Sequence, residues 1–324
     1  MNLPVPDAAA LASAAEIVYR AMAPTPQYAW PLLSFRLGAE VWVKHENHTQ
    51  TGAFKLRGGL VYFESLLRQM PDCPGVISAT RGNHGQSVGF AARRAGIAAT
   101  IVVPYGNSRE KNAAMRGLGV DLIEYGEDFQ AAREHAAALA DERGLHMIPS
   151  YHADLVRGVA TYWQELFQAV PDLDVVFVPI GMGSGICAAV AARAALGVRT
   201  RIVGVVSTEA PAYALSFEAG RVVEAPTTTQ LADGMACRSP DATALKIICS
   251  GVSEIVRVSD EEIANAMRIY FSDTHNAAEG AGAAALAAAL QQQSQLRGQK
   301  IGLSLSGGNV DRDVFAAVLS RDGA

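Results

Sequence analysis

Residues 75–124 read GVISATRGNHGQSVGFAARRAGIAATIVVPYGNSREKNAAMRGLGVDLIE, and this stretch decides the fold class. Three short runs centred on apolar residues, Gly75–Ala79, Thr100–Pro104 and Asp121–Glu124, alternate with two segments of helical period, Asn83–Ala95 and Ser108–Leu118. A short strand that is apolar on both faces belongs to a parallel sheet covered by helices on either side. Gly96 and Gly119 stand just past the two helical segments, where a glycine closes a helix. The pattern is α/β.

Working outward, the same alternation continues. Strand candidates are Glu40–Lys44 on one side and Val175–Ile180, Arg201–Val206 and Ile301–Ser306 on the other. Helical candidates are Asp128–Arg143, closed by Gly144, then Gly158–Ala169, Gly185–Ala195 and Asp260–Thr274. The strands form one group at 75–125 and a second at 175–206 joined by 301–306, with Glu40–Lys44 nearby. This predicts two open, twisted, mostly parallel sheets with flanking helices. A small unit, 68–151, is inserted in a larger one made of 1–67 and 152–324, with a cleft between them; 324 residues suffice for two such units. The one irregular stretch, Val222–Pro240, carries Thr227-Thr228-Thr229 and Asp233-Gly234, and a loop of that length in a compact domain is usually functional.

Half the residues are hydrophobic, enough to build packed cores rather than a disordered chain. The net charge of -5, without a dense Lys/Arg cluster, argues against nucleic acid as a partner. The Ala-rich N-terminus is interrupted by Asp7 and Glu16 and lacks a basic leading region, so it reads as a surface helix and not a secretion signal. Even the Ala-rich 276–290 stretch contains Glu279 and two glycines, short of the ~18 uninterrupted apolar residues of a membrane span. Cys73, Cys187, Cys237 and Cys249 lie far apart with no C-x-x-C pair, and read as reduced, buried thiols of a cytoplasmic protein.

Three segments that follow strand candidates carry chemistry, in the place where open α/β sheets bind their ligands. Gly181-Met182-Gly183-Ser184-Gly185 lets a backbone approach a ligand closely and leaves N–H groups free at a helix start, which suits a phosphate; an ordinary strand-to-helix turn fits it equally. Thr80-Arg81-Gly82-Asn83-His84-Gly85-Gln86 packs hydrogen-bond donors into one turn, as a carboxylate clamp requires, and helix capping by Thr80 or Asn83 is the simpler alternative. In the segment HENHTQTGAFKLRG, residues 45–58, Lys55 stands between Phe54 and Leu56. Partial desolvation there lowers a lysine's pKa and makes its amine a nucleophile towards an aldehyde, although a lone Lys at a helix start is ordinarily a solvated surface residue. His45 and His48 lack further spaced metal ligands and read as solvent-facing loop residues.

In this order, over nearly the whole chain, these segments together with Leu305-Ser306-Gly307-Gly308-Asn309 resemble the fold-type II pyridoxal-phosphate enzymes. That group has the tryptophan-synthase-β-like fold and includes the serine/threonine dehydratases and serine racemase. The resemblance implies pyridoxal 5'-phosphate as cofactor, bound as a Schiff base to Lys55, with Phe54 beside its ring and Asn83 bonding its hydroxyl. Gly181, Met182, Gly183, Ser184 and Gly185 would form the phosphate cup and Ser306 would face the pyridine nitrogen. Thr80, Arg81, Gly82, His84 and Gln86 would form the substrate side. A neutral hydroxyl at Ser306 leaves the ring nitrogen largely unprotonated, which suits β-elimination: Lys55 takes the Cα proton and the β-hydroxyl leaves, giving a 2-oxo acid and ammonia. Asp233 and Glu279 resemble further acids of the family's site, and an acid capping a helix explains either equally well. The family also implies a small amino-acid substrate and a homodimer.

Ala53 replaces the family's usual Ser, and Arg81 stands where dehydratases carry a small residue and serine racemase its opposite-face acid/base. Arg cannot deprotonate, so racemisation by that route is disfavoured. Arg81 pairs with a second substrate carboxylate, as in threo-3-hydroxyaspartate, or it points away, contacts the cofactor or pairs with a neighbouring acid. Val206 occupies the position of the Glu with which some relatives bind a cation, so no metal is expected there; a single gap in the match would bring in Glu209. The chain ends 15 residues after Asn309, so a C-terminal regulatory domain and feedback inhibition are not expected. A racemase or β-replacement enzyme on the same scaffold is the alternative enzyme reading. A non-catalytic amino-acid or nucleotide binder is opposed by Lys55, which a pure binder does not need.

Overall fold

The computed structural model describes residues 5–320, so the first four residues of the N-terminal stretch and the outermost limits of the large unit lie outside the described residues. Ten strands form among the described residues: β1 (Gln27–Ala29), β2 (Glu40–His45), β3 (Val76–Ala79), β4 (Ala99–Val103), β5 (Asp121–Glu124), β6 (His146–Met147), β7 (Val175–Pro179), β8 (Arg201–Ser207), β9 (Glu254–Val258) and β10 (Lys300–Leu305). They make a six-stranded sheet in the order β1-β2-β10-β7-β8-β9 and a four-stranded sheet in the order β5-β4-β3-β6. Every pairing is parallel except β1 with β2. The four-stranded sheet lies wholly between residues 76 and 147, inside the stretch marked as the small unit.

All seven strand candidates are strands, each within one residue of its expected limits. Three strands were not expected, and all are sheet edges: β1 and β6 are three and two residues long, and β9 (EIVRV) alternates because only one of its faces is covered. One helix begins earlier than expected, at Ala153 instead of Gly158, capped by the His152 ring accepting from the Asp154 N–H. Gly158 had suggested a boundary, yet it sits inside the helix because the backbone of Arg57 passes there; a Cβ would lie 2.2 Å from the Arg57 carbonyl oxygen. Helices Lys55–Gln69 and Ala153–Ala169 therefore cross at close range.

The Ala-rich segment is the helix Gly280–Gln291, buried from Gly280 to Ala289 against the six-stranded sheet. A helix that is apolar all round is buried all round. No described helix is long and apolar enough to cross a membrane. The cysteines depart in part from expectation: Cys187 and Cys237 are buried, Cys73 is half-buried and Cys249 is exposed; all four are unpaired. His48 is exposed and bonded to Asn276, but His45 is buried, against the expectation of a loop facing solvent. It sits on the last residue of β2, and its Nε2 accepts from the Trp30 indole at 2.9 Å.

Under the helix crossing lies a cluster of buried charges. Arg57 donates to Glu46 at 2.8 and 3.0 Å and to both carboxylate oxygens of Glu165. Lys44 reaches Glu165 as well, and Thr25 donates to Glu46. Burial pushes the Glu165 carboxyl up, but Arg57 and Lys44 outweigh it and hold the group below the usual carboxylate range. Lys44 is shifted below the usual lysine range, by burial, against the pull of Glu165 and Glu46. Breaking a buried pair from one side leaves an uncompensated charge costing about 3–5 kcal/mol. We expect Glu165→Ala to lower unfolding stability in urea by about that much, and Arg116→Ala, which breaks the exposed pair with Glu124, by less than about 1 kcal/mol.

Candidate active site

The carboxyl ends of β3, β7 and β10 and the loop after β2 converge on one cavity. The cofactor- and substrate-site residues that the resemblance implies border it, Gln86 excepted: Phe54 and Lys55 at the start of one helix, Thr80 to His84 after β3, Gly181 to Gly185 after β7, Asp233 and Glu279, and Ser306 after β10. Gln86 is buried in the first turn of the helix Asn83–Ala95, where its N–H bonds the Gly82 carbonyl.

The segment carrying Lys55 is pinned by main-chain bonds to the exit of strand β10. Phe54 N–H donates to the Ser306 carbonyl at 3.1 Å, Gly308 N–H to the Gly52 carbonyl at 2.9 Å, and Ala53 bridges Gly307. Lys55 is the first residue of its helix, and its amine lies 4.5 Å from the centre of the Phe54 ring. Burial lowers its pKa to about 8, with the Glu279 carboxylate pulling weakly the other way. A neutral amine is thus accessible near physiological pH.

Two helix N-termini open on the same cavity, and neither is capped by a side chain. Gly183 precedes the helix Ser184–Leu196 at φ +98, a left-handed conformation that favours glycine. The Tyr213 hydroxyl braces that loop by donating to the Met182 carbonyl at 3.0 Å. Gly82 precedes the helix Asn83–Ala95, and Thr80 staples the turn by accepting from the Gly82 N–H at 3.0 Å instead of capping the helix. Uncapped first-turn amides and the helix dipole favour an anion at each place. His84, in the second of these turns, is lowered to about 3 by burial and by Lys55, so it is neutral.

The two acids do not cap helices either. Glu279 is buried and accepts from the Asn83 amide at 2.6 Å; Asn83 Oδ1 in turn accepts from Asn309 at 2.9 Å. Asp233 accepts from Lys111 at 2.8 Å, and the same ammonium lies 3.1 Å from Glu279. Lys111 was not foreseen, because a lysine in the polar run SREKN resembles any surface helix residue. Its only signal is position: it is four residues before the buried Met115, on the inward face of its helix. Arg81 also borders the cavity, and among the described residues it has no hydrogen-bond or ion-pair partner. That removes the reading in which it pairs with a neighbouring acid.

The family model for the pyridoxal-phosphate dependent enzymes matches residues 18–307. The chain belongs to this family. It is 36% identical over 290 residues to an L-threonine ammonia-lyase of Geobacter sulfurreducens, covering 89% of this chain and 72% of that protein. It is 33% identical to an L-threo-3-hydroxyaspartate ammonia-lyase of Saccharomyces cerevisiae, covering 91% of each. Among solved structures it resembles the processed form of threonine deaminase isoform 2 from Solanum lycopersicum, with a TM-score of 0.88, 29% identity, and 98% and 94% of the two chains covered. The fold is thus that of the fold-type II enzymes, the cofactor is pyridoxal 5'-phosphate, and the enzyme is a carbon–oxygen lyase of the dehydratase type.

The cavity's own chemistry fits that cofactor. It offers an amine of lowered pKa for the aldehyde, an aromatic ring beside that amine, and an uncapped glycine turn for the phosphate. The Ser306 hydroxyl, whose bond to the Ala281 carbonyl is a long 3.4 Å, remains available to a ring nitrogen. The rate at which the cofactor-free enzyme captures pyridoxal phosphate should rise with pH through about 8, as the Lys55 amine loses its proton. Stopped-flow absorbance checks this, and Lys55→Ala should abolish the borohydride-trapped adduct seen by mass spectrometry.

Proposed function

We propose that the enzyme releases ammonia from a small 3-hydroxy amino acid with two carboxylates, threo-3-hydroxyaspartate in preference to serine or threonine. One observation carries this reading: a guanidinium without a protein partner among the described residues, Arg81, borders the cavity immediately before the uncapped turn suited to the α-carboxylate. A charge partly withdrawn from water is ordinarily paired, and a guanidinium binds a carboxylate through two parallel N–H bonds. The likeness to the yeast hydroxyaspartate ammonia-lyase supports it.

In this scheme the first-turn amides of Asn83–Ala95 hold the α-carboxylate and Arg81 the distal one. When bound, the cofactor supplies an electron sink that makes the Cα proton acidic. Lys55 Nζ, deprotonated near pH 8, takes that proton. The Gly183–Ser184 turn anchors the phosphate, and Ser306 offers the ring nitrogen a hydroxyl and no charge. The dehydratase reading is preferred to a two-base racemase because Arg81 stands at the position of the second base and holds its proton throughout.

Assembly as a homodimer in the cytoplasm is part of the proposal. Exposed apolar side chains on the helix Pro31–Leu37, with Phe35 90% exposed, support the first, and four unpaired cysteines support the second. The test is 2-oxo acid release from serine, threonine, 3-phenylserine and threo-3-hydroxyaspartate by wild type and Arg81→Ala. We expect the variant to lose about a hundredfold in kcat/KM on threo-3-hydroxyaspartate and less than about threefold on threonine, the difference corresponding to one charge-assisted pair. Equal losses on both substrates would reject the dicarboxylate reading.

A further inference from the structure

Asn83 lines the cavity and, by the family resemblance, would bond the hydroxyl on the cofactor's ring, yet a primary amide is ambiguous. Rotated by half a turn it occupies the same space but presents an acceptor where it had presented a donor. What decides between the two is the pair of neighbours at its ends. Here Nδ2 donates to Glu279 Oε1 at 2.6 Å, and Oδ1 accepts from Asn309 Nδ2 at 2.9 Å. Asn309 is itself oriented, since its Nδ2 also donates to the Thr51 carbonyl at 2.8 Å.

The weak point in this chain is Glu279. An ionised carboxylate accepts hydrogen bonds only and so demands the N–H end of Asn83, whereas a protonated one carries a donor and satisfies either orientation. Its surroundings favour the protonated form: it is buried, and the Asp233 carboxylate is near. Against these stands Lys111, with its ammonium 3.1 Å from Oε2; the Lys55 amine is no lasting counter-charge, because the cofactor aldehyde takes it up in the loaded enzyme. Lys111 keeps its charge at all ordinary pH values. Burial alone would lower its pKa, but Glu279 and Asp233 hold it above the usual lysine range. The side chain is stretched over Gly82, where a Cβ would lie 2.4 Å from its Cδ, so a larger residue at 82 would block its path.

We propose that Lys111 is a positioning residue: its fixed ammonium, held by Asp233, keeps Glu279 ionised so that the Asn83 amide always directs its N–H groups towards Glu279 and the cofactor's ring oxygen. This rests on the cofactor assignment above. Lys111 and Asn83 come from the segments after β4 and β3, whereas Asp233, Glu279 and Asn309 come from the large-sheet side, so the same network ties the two sides of the cavity together. Asn83 is held only when both sides are in place.

The test uses the cofactor-loaded enzyme and reads two quantities besides turnover: cofactor affinity and the ratio of its visible to near-ultraviolet absorption, each from pH 6 to pH 9. Removing Lys111 as a charge by Lys111→Met lets burial and Asp233 raise the Glu279 pKa further, so the defect grows as pH falls and recovers as pH rises. We expect cofactor binding weaker by about tenfold at pH 6 and by less than about threefold at pH 9, relative to wild type, with a parallel change in the absorption ratio. Lys111→Arg, which keeps the charge, should restore most of both. The decisive arm is the double variant Lys111→Met/Glu279→Gln: the titrating acid is gone, so the acid-side loss should vanish and any remaining defect be independent of pH. A pH-independent defect in Lys111→Met, or an acid-side loss that survives in the double variant, would overturn the proposal. Should Lys111→Met fail to fold, Glu279→Gln alone decides: a neutral amide satisfies either orientation of Asn83 at every pH, so cofactor binding should weaken by about tenfold at both pH 6 and pH 9, and an affinity equal to wild type rejects the role of Glu279. If wild type itself shows no visible band with pyridoxal phosphate, the cofactor assignment fails instead, a result readily told apart from these.

Discussion

The guanidinium of Arg57 is the constraint on which the active site rests. It is fully buried, two residues after Lys55, and it binds carboxylates from two other elements: Glu46 from the loop after β2 and Glu165 from the helix Ala153–Ala169. A buried charge tolerates no slack, because losing one partner exposes the others to the full cost of desolvation. The helix that begins with Lys55 is therefore held in one rotational setting, and the setting aims the lysine into the cavity. Main-chain bonds from Phe54 to Ser306 and from Gly308 to Gly52 add a second restraint just before that helix.

Around this anchored lysine the electrostatics divide into two kinds. Anions are met by uncapped helix starts, whose amide groups carry partial positive charge without any titrating side chain. Protons are handled by a few buried groups whose environments push them apart: Lys55 down to about 8, His84 down to about 3, and Glu279 up, by burial, against the neighbouring Lys111. The packing that buries Lys55 is also what lowers its pKa, so amine reactivity is a consequence of the fold around it.

Substrate choice has a different origin. The turn after β3 would serve any amino acid through its main-chain amides, which recognise a carboxylate and nothing beyond it. In the reading proposed above, discrimination falls to Arg81, a charged side chain of the same turn that borders the cavity. In that reading backbone amides meet the carboxylate that every amino acid carries, and a side chain of the same turn meets the distal one.

The fold and most of the site were legible in the chain itself, for a local reason. A buried parallel strand must be apolar on both faces, a helix must close with a glycine or a cap, and an anion-binding turn must carry glycine where the backbone is left-handed; each leaves its mark within a few residues, as at Val76–Ala79, Gly96 and Gly183. As site residues, Lys55, Asn83, the Gly181–Gly185 turn and Ser306 carry no such mark by themselves; they were singled out by their resemblance, in this order along the chain, to the family's segments, and the fold gathers them around one cavity. What tertiary structure alone decided are the properties that depend on a distant partner. No local pattern could show that His45 is buried against Trp30, that Gly158 lies within a helix because another backbone crosses it, or that Lys111 spans the cavity to Asp233 and Glu279, both more than a hundred positions further along the chain. Burial and pairing of charge are set by three-dimensional proximity, and the residues that supply them look, in the sequence, like any other polar surface.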